Sequence, residues 1–261
     1  MGIVNVTPDS FSDGGRYFST DAAVTHGLAL VSQGADWLDI GGESTRPGAP
    51  PVATQEELDR VLPVIEALRR RSPVPLSIDT MKPDVAAEAV AAGASLWNDV
   101  SGFRGIGCVE AAGQLRVPVA AMHMQGEPRT MQAAPHYEDV VAEVSGFLQA
   151  QARALRAAGV QEVWVDPGIG FGKSLAHNLA LIRALPALRK ATGCRVLFGA
   201  SRKSMIAKID PGAVEASDRI GGSLALALYA AQAGADMLRV HDVAATRQAL
   251  SVWMAVTGDA A

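Results

Sequence analysis

Aromatic residues are scarce. Phe, Trp and Tyr together supply 5% of the 261 residues, and cysteine occurs only twice. A core with so few rings must be built from small and branched aliphatic side chains, which suits helices packed closely on a parallel sheet. Cys108 and Cys194 cannot form a disulfide framework in a chain this long and lack metal-ligand spacing, so both are expected to be buried, reduced thiols. No apolar run approaches the ~18 residues of a membrane span. The opening Met1-Gly2-Ile3-Val4 reads as a strand, not as a charged segment before a signal core. Concentrated positive charge is also missing: the net charge is −4 and the longest basic run is Arg69-Arg70-Arg71. Three arginines closing a helix complement its dipole, and a nucleic-acid footprint would need a basic face. These absences set the expectation of a cytoplasmic protein that binds neither membrane nor nucleic acid.

What is present is a regular rhythm. Apolar residues make up 49% and charged residues 19%, with no long linker or low-complexity stretch, so residues 1–261 read as one domain. Four times a helix-like segment ends at a glycine suited to a left-handed C-cap and a strand follows at once. Gly34 precedes Trp37–Ile40, Gly93 precedes Leu96–Asp99, Gly159 precedes Val163–Asp166, and Gly234 precedes Met237–Val240. Ile3–Val6, Leu76–Ile78, Val119–Met122 and Val196–Phe198 complete eight candidate strands. The intervening segments carry helical spacing: Leu58, Val61, Leu62, Ile65 and Leu68 share one face, as do Val140, Val144, Phe147, Leu148 and Leu155. Pro83 suits a first helical turn, and a last helix runs from Val243 to about Val256. Eight such repeats predict an α/β fold, a (β/α)8 TIM barrel. The alternative is a doubly wound open sheet, although no Gly-x-Gly-x-x-Gly follows the first strand.

Nearly every strand ends in a polar residue: Asn5, Asp39 and Glu43, Asp79, Asn98 and Asp99, His123, Asp166, Ser201 with Lys203, Arg239 and His241. In a barrel these positions converge on the mouth where active sites lie. Arg239 and His241 alternate, so both side chains point the same way. With Arg46, Arg202, Lys203 and nearby hydroxyls, they suit a polyanion such as a diphosphate. Asp79, Asp166, Asn98 and Lys203 suit a flat heterocycle that offers N–H donors beside a carbonyl. A glycosidase carboxylate pair and a Schiff-base lysine at Lys203 are the rival readings. Residues 7–20 and 44–54 read as mobile mouth loops, with Phe11 placed to cover an aromatic substrate or to pack locally.

Several blocks, taken together, resemble one family. Asn5-Val6-Thr7-Pro8-Asp9-Ser10, Gly42-Glu43-Ser44-Thr45-Arg46-Pro47-Gly48, Asp79-Thr80, Asn98-Asp99, Met122-His123-Met124-Gln125-Gly126, Asp166 to Lys173, Ser201-Arg202-Lys203-Ser204 and Arg239-Val240-His241-Asp242 are similar, in order, to the signatures of the dihydropteroate synthases. The resemblance implies that p-aminobenzoate is joined to 6-hydroxymethyl-7,8-dihydropterin diphosphate with release of diphosphate. It places Asp79, Asn98, Asp166 and Lys203 around the pterin, with Met122 on its face. Asn5 would bind Mg2+ beside the diphosphate, which Thr45, Arg46, Arg239 and His241 also contact. p-Aminobenzoate would lie against Phe171, Pro47 and Lys203, its carboxylate near Ser204. Asp79, Asp166, Lys203, Arg239 and His241 then form the catalytic set, with sulfonamides as competitors and a homodimer as the assembly. The alternatives are a pterin-binding methyltransferase barrel and a pterin-binding protein without catalysis. One departure stands out: members of the family usually carry an N-terminal extension over the barrel floor, and this sequence opens directly on the first strand.

Overall fold

Short runs of branched aliphatic residues, each stopped by a polar one, form the strands where the sequence places them. The computed structural model describes residues 1–7, 20–46, 48–128 and 130–258; Phe11, Pro47 and most of the first mouth loop lie outside them. The strands are β1 (Gly2–Asn5), β2 (Leu38–Gly41), β3 (Leu76–Asp79), β4 (Leu96–Asp99), β5 (Val119–Met122), β6 (Val163–Asp166), β7 (Arg195–Phe198) and β8 (Met237–Leu238). They pair in sequence order, every pair parallel. Beyond β8 the chain meets β1: Gly2 bridges Val240, Val240 N donates to Met1 O at 3.0 Å, and Ile3 N donates to Val240 O at 3.1 Å. That contact closes the sheet, so the barrel expectation holds and the open doubly wound sheet does not.

Period-2 alternation divides each strand between two cores. Val4, Ile40, Ile78, Val119, Val165 and Phe198 join the large core shared with the helices. Met1, Leu96, Ala120, Trp164, Leu197 and Met237 form a second cluster on the inner side. Above that cluster the inward positions turn polar, and the site begins there.

The helices are α1 (Thr20–Ser32), α2 (Thr54–Arg71), α3 (Pro83–Ala91), α4 (Cys108–Leu115), α5 (Val140–Ala157), α6 (Leu175–Arg183), α7 (Leu185–Thr192), α8 (Ser204–Ile209), α9 (Ile220–Gln232) and α10 (Val243–Thr257). Their local chemistry follows the sequence. Asp139 caps α5 by accepting from Val141 N and Ala142 N, both at 3.0 Å, and Pro83 opens α3. Gly34, Gly93, Gly159 and Gly234 take φ of +92°, +119°, +104° and +88°, the left-handed turn expected before β2, β4, β6 and β8. Two gaps hold more than one helix. Leu185 begins a fresh helix, α7, straight after α6, with Pro186 in its first turn, and the short α8 precedes α9 between β7 and β8. Cys108 and Cys194 are buried free thiols, as expected. Among the described residues no helix is long and apolar enough to cross a membrane.

Candidate active site

Inward residues of β2, β3 and β4 meet around one guanidinium, that of Arg239 just past β8. Arg239 Nε donates to Asp39 Oδ2 at 2.6 Å and its Nη2 to Asp79 Oδ2 at 2.7 Å. Asn98 Nδ2 donates to the same Asp39 oxygen at 3.2 Å. Gly199, just past β7, separates Asp166 from Arg239: a Cβ built there would lie 3.6 Å from Asp166 Oδ2 and 3.8 Å from Arg239 Cβ. Gly41 sits in the same way beside Asp79. Two inward positions without side chains leave room for a flat ligand between charged walls.

Burial shapes the electrostatics. Desolvation pushes Asp79 up to about 7; Arg239 opposes the shift and Asp39 adds to it. Desolvation likewise raises Asp166 to about 6, against the pull of Gly168 N–H, Lys203 and Arg239. Lys203 is lowered to about 8 by burial and then by Arg239. Burial also disfavours the charged form of Arg239, but Asp39 and Asp79 outweigh it and hold the group firmly protonated. The site thus holds two carboxylates raised above their usual range beside a fixed cation.

Lys203 Nζ stands 4.0 Å from the ring centroid of Phe171. Phe171 packs with Val100, Met122, Met124 and Met131, joined by the half-buried Met81, in an apolar cluster next to the polar pocket. The segment from Gly168 to Lys173 brings Phe171 there. Gly168, Gly170 and Gly172 all have positive φ, at +67°, +85° and +62°, so every second residue reverses the turn. At Gly168 there is no space either, because a Cβ would overlap the carbonyl of His123. The curled backbone aims its carbonyls at Lys173, which is 1% exposed. Its Nζ donates to Gly168 O and Phe171 O at 2.9 Å and to His123 O at 3.1 Å, and it lies 3.1 Å from His123 Nδ1. Gly168 N in turn donates to Asp166 Oδ1 at 2.7 Å, which fixes that carboxylate. Tyr137 Oη donates to Gly172 O at 2.9 Å as a further tether.

A second anchor lies under the loop after β2. Lys82 Nζ contacts Glu43 and donates to Glu57 Oε2 at 2.6 Å, while Arg60 Nη1 donates to Gly42 O at 2.7 Å. Glu57 is fully buried. Together these groups fix the base from which Thr45 and Arg46 project. Arg46 is exposed, and Thr45 is half-buried.

Of the residues picked out in the sequence, Asp79, Asn98, Asp166, Lys203 and Arg239 come together. Met122 and Phe171 line the adjoining cluster. His241 is half-buried beside them: its Nδ1 lies 3.0 Å from Ser201 Oγ, and burial, followed by Arg239 and Arg202, lowers its pKa to about 3. Asn5 ends β1, and Ser204 opens α8 exposed. Arg202 points elsewhere, gripping Asp242 at 2.9 and 2.6 Å.

Three polar strand ends prove to be structural. Asp99 accepts from Ser101 N and Phe103 N at 2.7 and 2.8 Å, His123 serves Lys173, and Glu43 serves Lys82. The contributions of Asp39 as a hub, of Lys173, and of the pair Lys82 and Glu57 were not read from the sequence. The period-2 rule held the one available signal, since Asn98 and Asp99 cannot both face inward. Nothing in one dimension marks Lys173, because lysine is among the residues least often buried.

Comparisons with known proteins give the family and the fold. A family model described as pterin binding enzyme matches residues 1–241. The dihydropteroate synthase of Escherichia coli K12 is 47% identical over 254 residues, covering 97% of this chain and 89% of its own. A structure of Xanthomonas albilineans dihydropteroate synthase with 4-aminobenzoic acid superposes with a TM-score of 0.93 at 53% identity, covering 99% of this chain and 93% of that one. The Yersinia pestis dihydropteroate synthase with a sulfonamide drug gives a TM-score of 0.92 at 46% identity, covering 98% and 93%.

Proposed function

Because the chain belongs to the pterin-binding enzyme family, among the dihydropteroate synthases, we propose that its site residues divide the work of one condensation. The reaction joins 6-hydroxymethyl-7,8-dihydropterin diphosphate and p-aminobenzoate into 7,8-dihydropteroate and releases diphosphate. One observation carries the reading: two carboxylates, an amide, a lysine and an arginine, drawn from five different strand ends, converge at the barrel mouth with Gly41 and Gly199 set among them.

Asp79 and Asp166 accept the paired N–H groups of the pterin, Asn98 and Lys203 meet its remaining edge, and Met122 packs on its face. The C–O bond to the diphosphate breaks first. The electron-rich dihydropterin delocalises the positive charge, and the two buried carboxylates stabilise it. Thr45, Arg46, Arg239 and His241 receive the departing diphosphate. The amine of p-aminobenzoate is already neutral at pH 7, so it attacks without a strong protein base, and Lys203 orients rather than forming a covalent bond. The arylamine lies against Phe171, Pro47 and Lys203, with its carboxylate near Ser204, and sulfonamides compete for that place.

Mg2+ fits Asn5. A hard cation takes oxygen donors and keeps waters and phosphate oxygens, so a single amide oxygen at the end of β1 suffices; bound there, the ion would neutralise charge on the leaving diphosphate. Among the described residues no cluster of His, Cys, Asp or Glu could hold a metal by itself, which accords with an ion held mainly through the substrate. Ile209, Ile220, Tyr229, Val252 and Val256 are exposed apolar side chains on α8, α9 and α10, and they suit a second copy of this chain in a cytoplasmic homodimer.

The test supplies both substrates with Mg2+ and measures dihydropteroate and free diphosphate in one reaction. Equal amounts of the two support the reading. Pterin binding without diphosphate release would instead indicate a binding protein without catalysis, and a borohydride-trapped Lys203 adduct would indicate Schiff-base chemistry.

A further inference from the structure

Asp39 is fully buried in the middle of β2, two residues before the strand's end, and presents no surface to the mouth. Its Oδ2 nonetheless takes both Arg239 Nε and Asn98 Nδ2, at 2.6 and 3.2 Å. We infer that Asp39 is a positioning residue for this reaction, fixing the guanidinium of Arg239 and the amide of Asn98 in the orientations a pterin diphosphate needs. The inference rests on the function proposed above and adds to it a residue that does not touch substrate.

Two geometric consequences support it. An amide facing a carboxylate must turn its NH2 toward it, since the opposite flip would set oxygen against oxygen. Asp39 therefore directs Asn98 Oδ1 away from itself as an acceptor, which selects an N–H on the ligand. Likewise Arg239 spends Nε on Asp39 and Nη2 on Asp79, which leaves Nη1 for the ligand.

The cost of Asp39 points the same way. Its Oδ1 is buried without a partner, as is the hydroxyl of its register neighbour Ser77. A half-satisfied buried carboxylate stabilises a fold less than an apolar side chain of similar size. A residue kept only for packing at this position would be apolar.

The experiment compares Asp39→Asn with the parent chain, using turnover and calorimetric binding of the dihydropterin diphosphate. We expect the KM and Kd for the pterin substrate to rise at least tenfold, while the KM for p-aminobenzoate stays within threefold. In an Asn98→Ala/Arg239→Ala background, Asp39→Asn should change kcat/KM by less than twofold, because the groups it positions are gone. A pterin Kd within twofold of the parent, or the same loss in both backgrounds, overturns the inference. Should Asp39→Asn fail to fold, the smaller Asp39→Ser is judged by the same figures; failure of both to fold makes the residue a stability element and overturns it too. A parent chain that makes no dihydropteroate indicts the proposed reaction instead, and the binding data still decide the role of Asp39.

Discussion

Gly168→Ala tests the physical reading of the loop that presents Phe171. The methyl group meets two obstacles. Gly168 has φ of +67°, a left-handed conformation that costs a non-glycine residue roughly 1–2 kcal/mol. The new Cβ would also overlap the carbonyl of His123, a backbone atom that cannot rotate away. Relieving that overlap requires the loop and the end of β5 to separate, an overpacking cost of about 1–3 kcal/mol. The sum, about 2–5 kcal/mol, corresponds to a fall in Tm of roughly 5–20 °C for a domain this size. The same shift would lengthen Gly168 N to Asp166 Oδ1 and withdraw the Gly168 carbonyl from Lys173, so pterin binding should weaken as well. Gly170→Ala makes the comparison. Its φ of +85° is equally unfavourable, but its Cβ would meet only the flexible Lys203 side chain at 3.2 Å. It should lose less stability, about 1–2 kcal/mol. Differential scanning calorimetry of the two variants, with pterin titration, decides the matter. A Gly168→Ala Tm within 2 °C of the parent, or a larger loss in Gly170→Ala, would refute the argument.

Three further outcomes follow from the site. Asp166 and Asp79 are raised to about 6 and about 7, so both lose their acceptor form as pH falls through that range, and Lys203, lowered to about 8, loses its charge above it. The kcat/KM for the pterin substrate should therefore rise through pH 6–7 and decline beyond pH 8; a flat profile from pH 5 to 9 would contradict this. Lys173→Met leaves three buried carbonyls without their donor, at about 1–3 kcal/mol each before relaxation. It should lower Tm by several degrees and raise the KM for p-aminobenzoate by displacing Phe171; an unchanged KM in folded protein would show that the lysine serves stability alone. Saturating sulfonamide should suppress turnover, with p-aminobenzoate restoring it; full activity in its presence would separate this chain from the proposed arylamine pocket.

The barrel could be read in advance because its cues are local. A run such as Val163-Trp164-Val165 stopped by Asp166, with Gly159 before it, specifies strand and turn without help from distant residues. The pocket was legible in outline for a related reason: a parallel barrel gathers all its strand ends, so Asp79, Asn98, Asp166 and Arg239 had to meet. Which strand-end residues serve ligand and which serve backbone depends on facts the sequence does not display. Asn98 and Asp99 look equivalent in a line of letters. Pleating turns one inward to Asp39 and the other outward, where it closes its own loop. His123 is one polar strand end among others in the sequence; folding sets the buried Lys173 beside it, and burial lowers the imidazole to about 3. The sequence reading gives Arg239 a diphosphate contact, and closure of the barrel adds two carboxylate partners from β2 and β3. Each of these assignments needs a partner remote in sequence.

The account depends on one pocket holding a flat ring by groups from separate strands. Its most direct test is the affinity for the dihydropterin, measured calorimetrically in the parent chain and in Asp166→Ala and Lys203→Ala. Both variants should fold and bind at least a hundredfold more weakly. Affinity equal to the parent in either one would place the ring elsewhere.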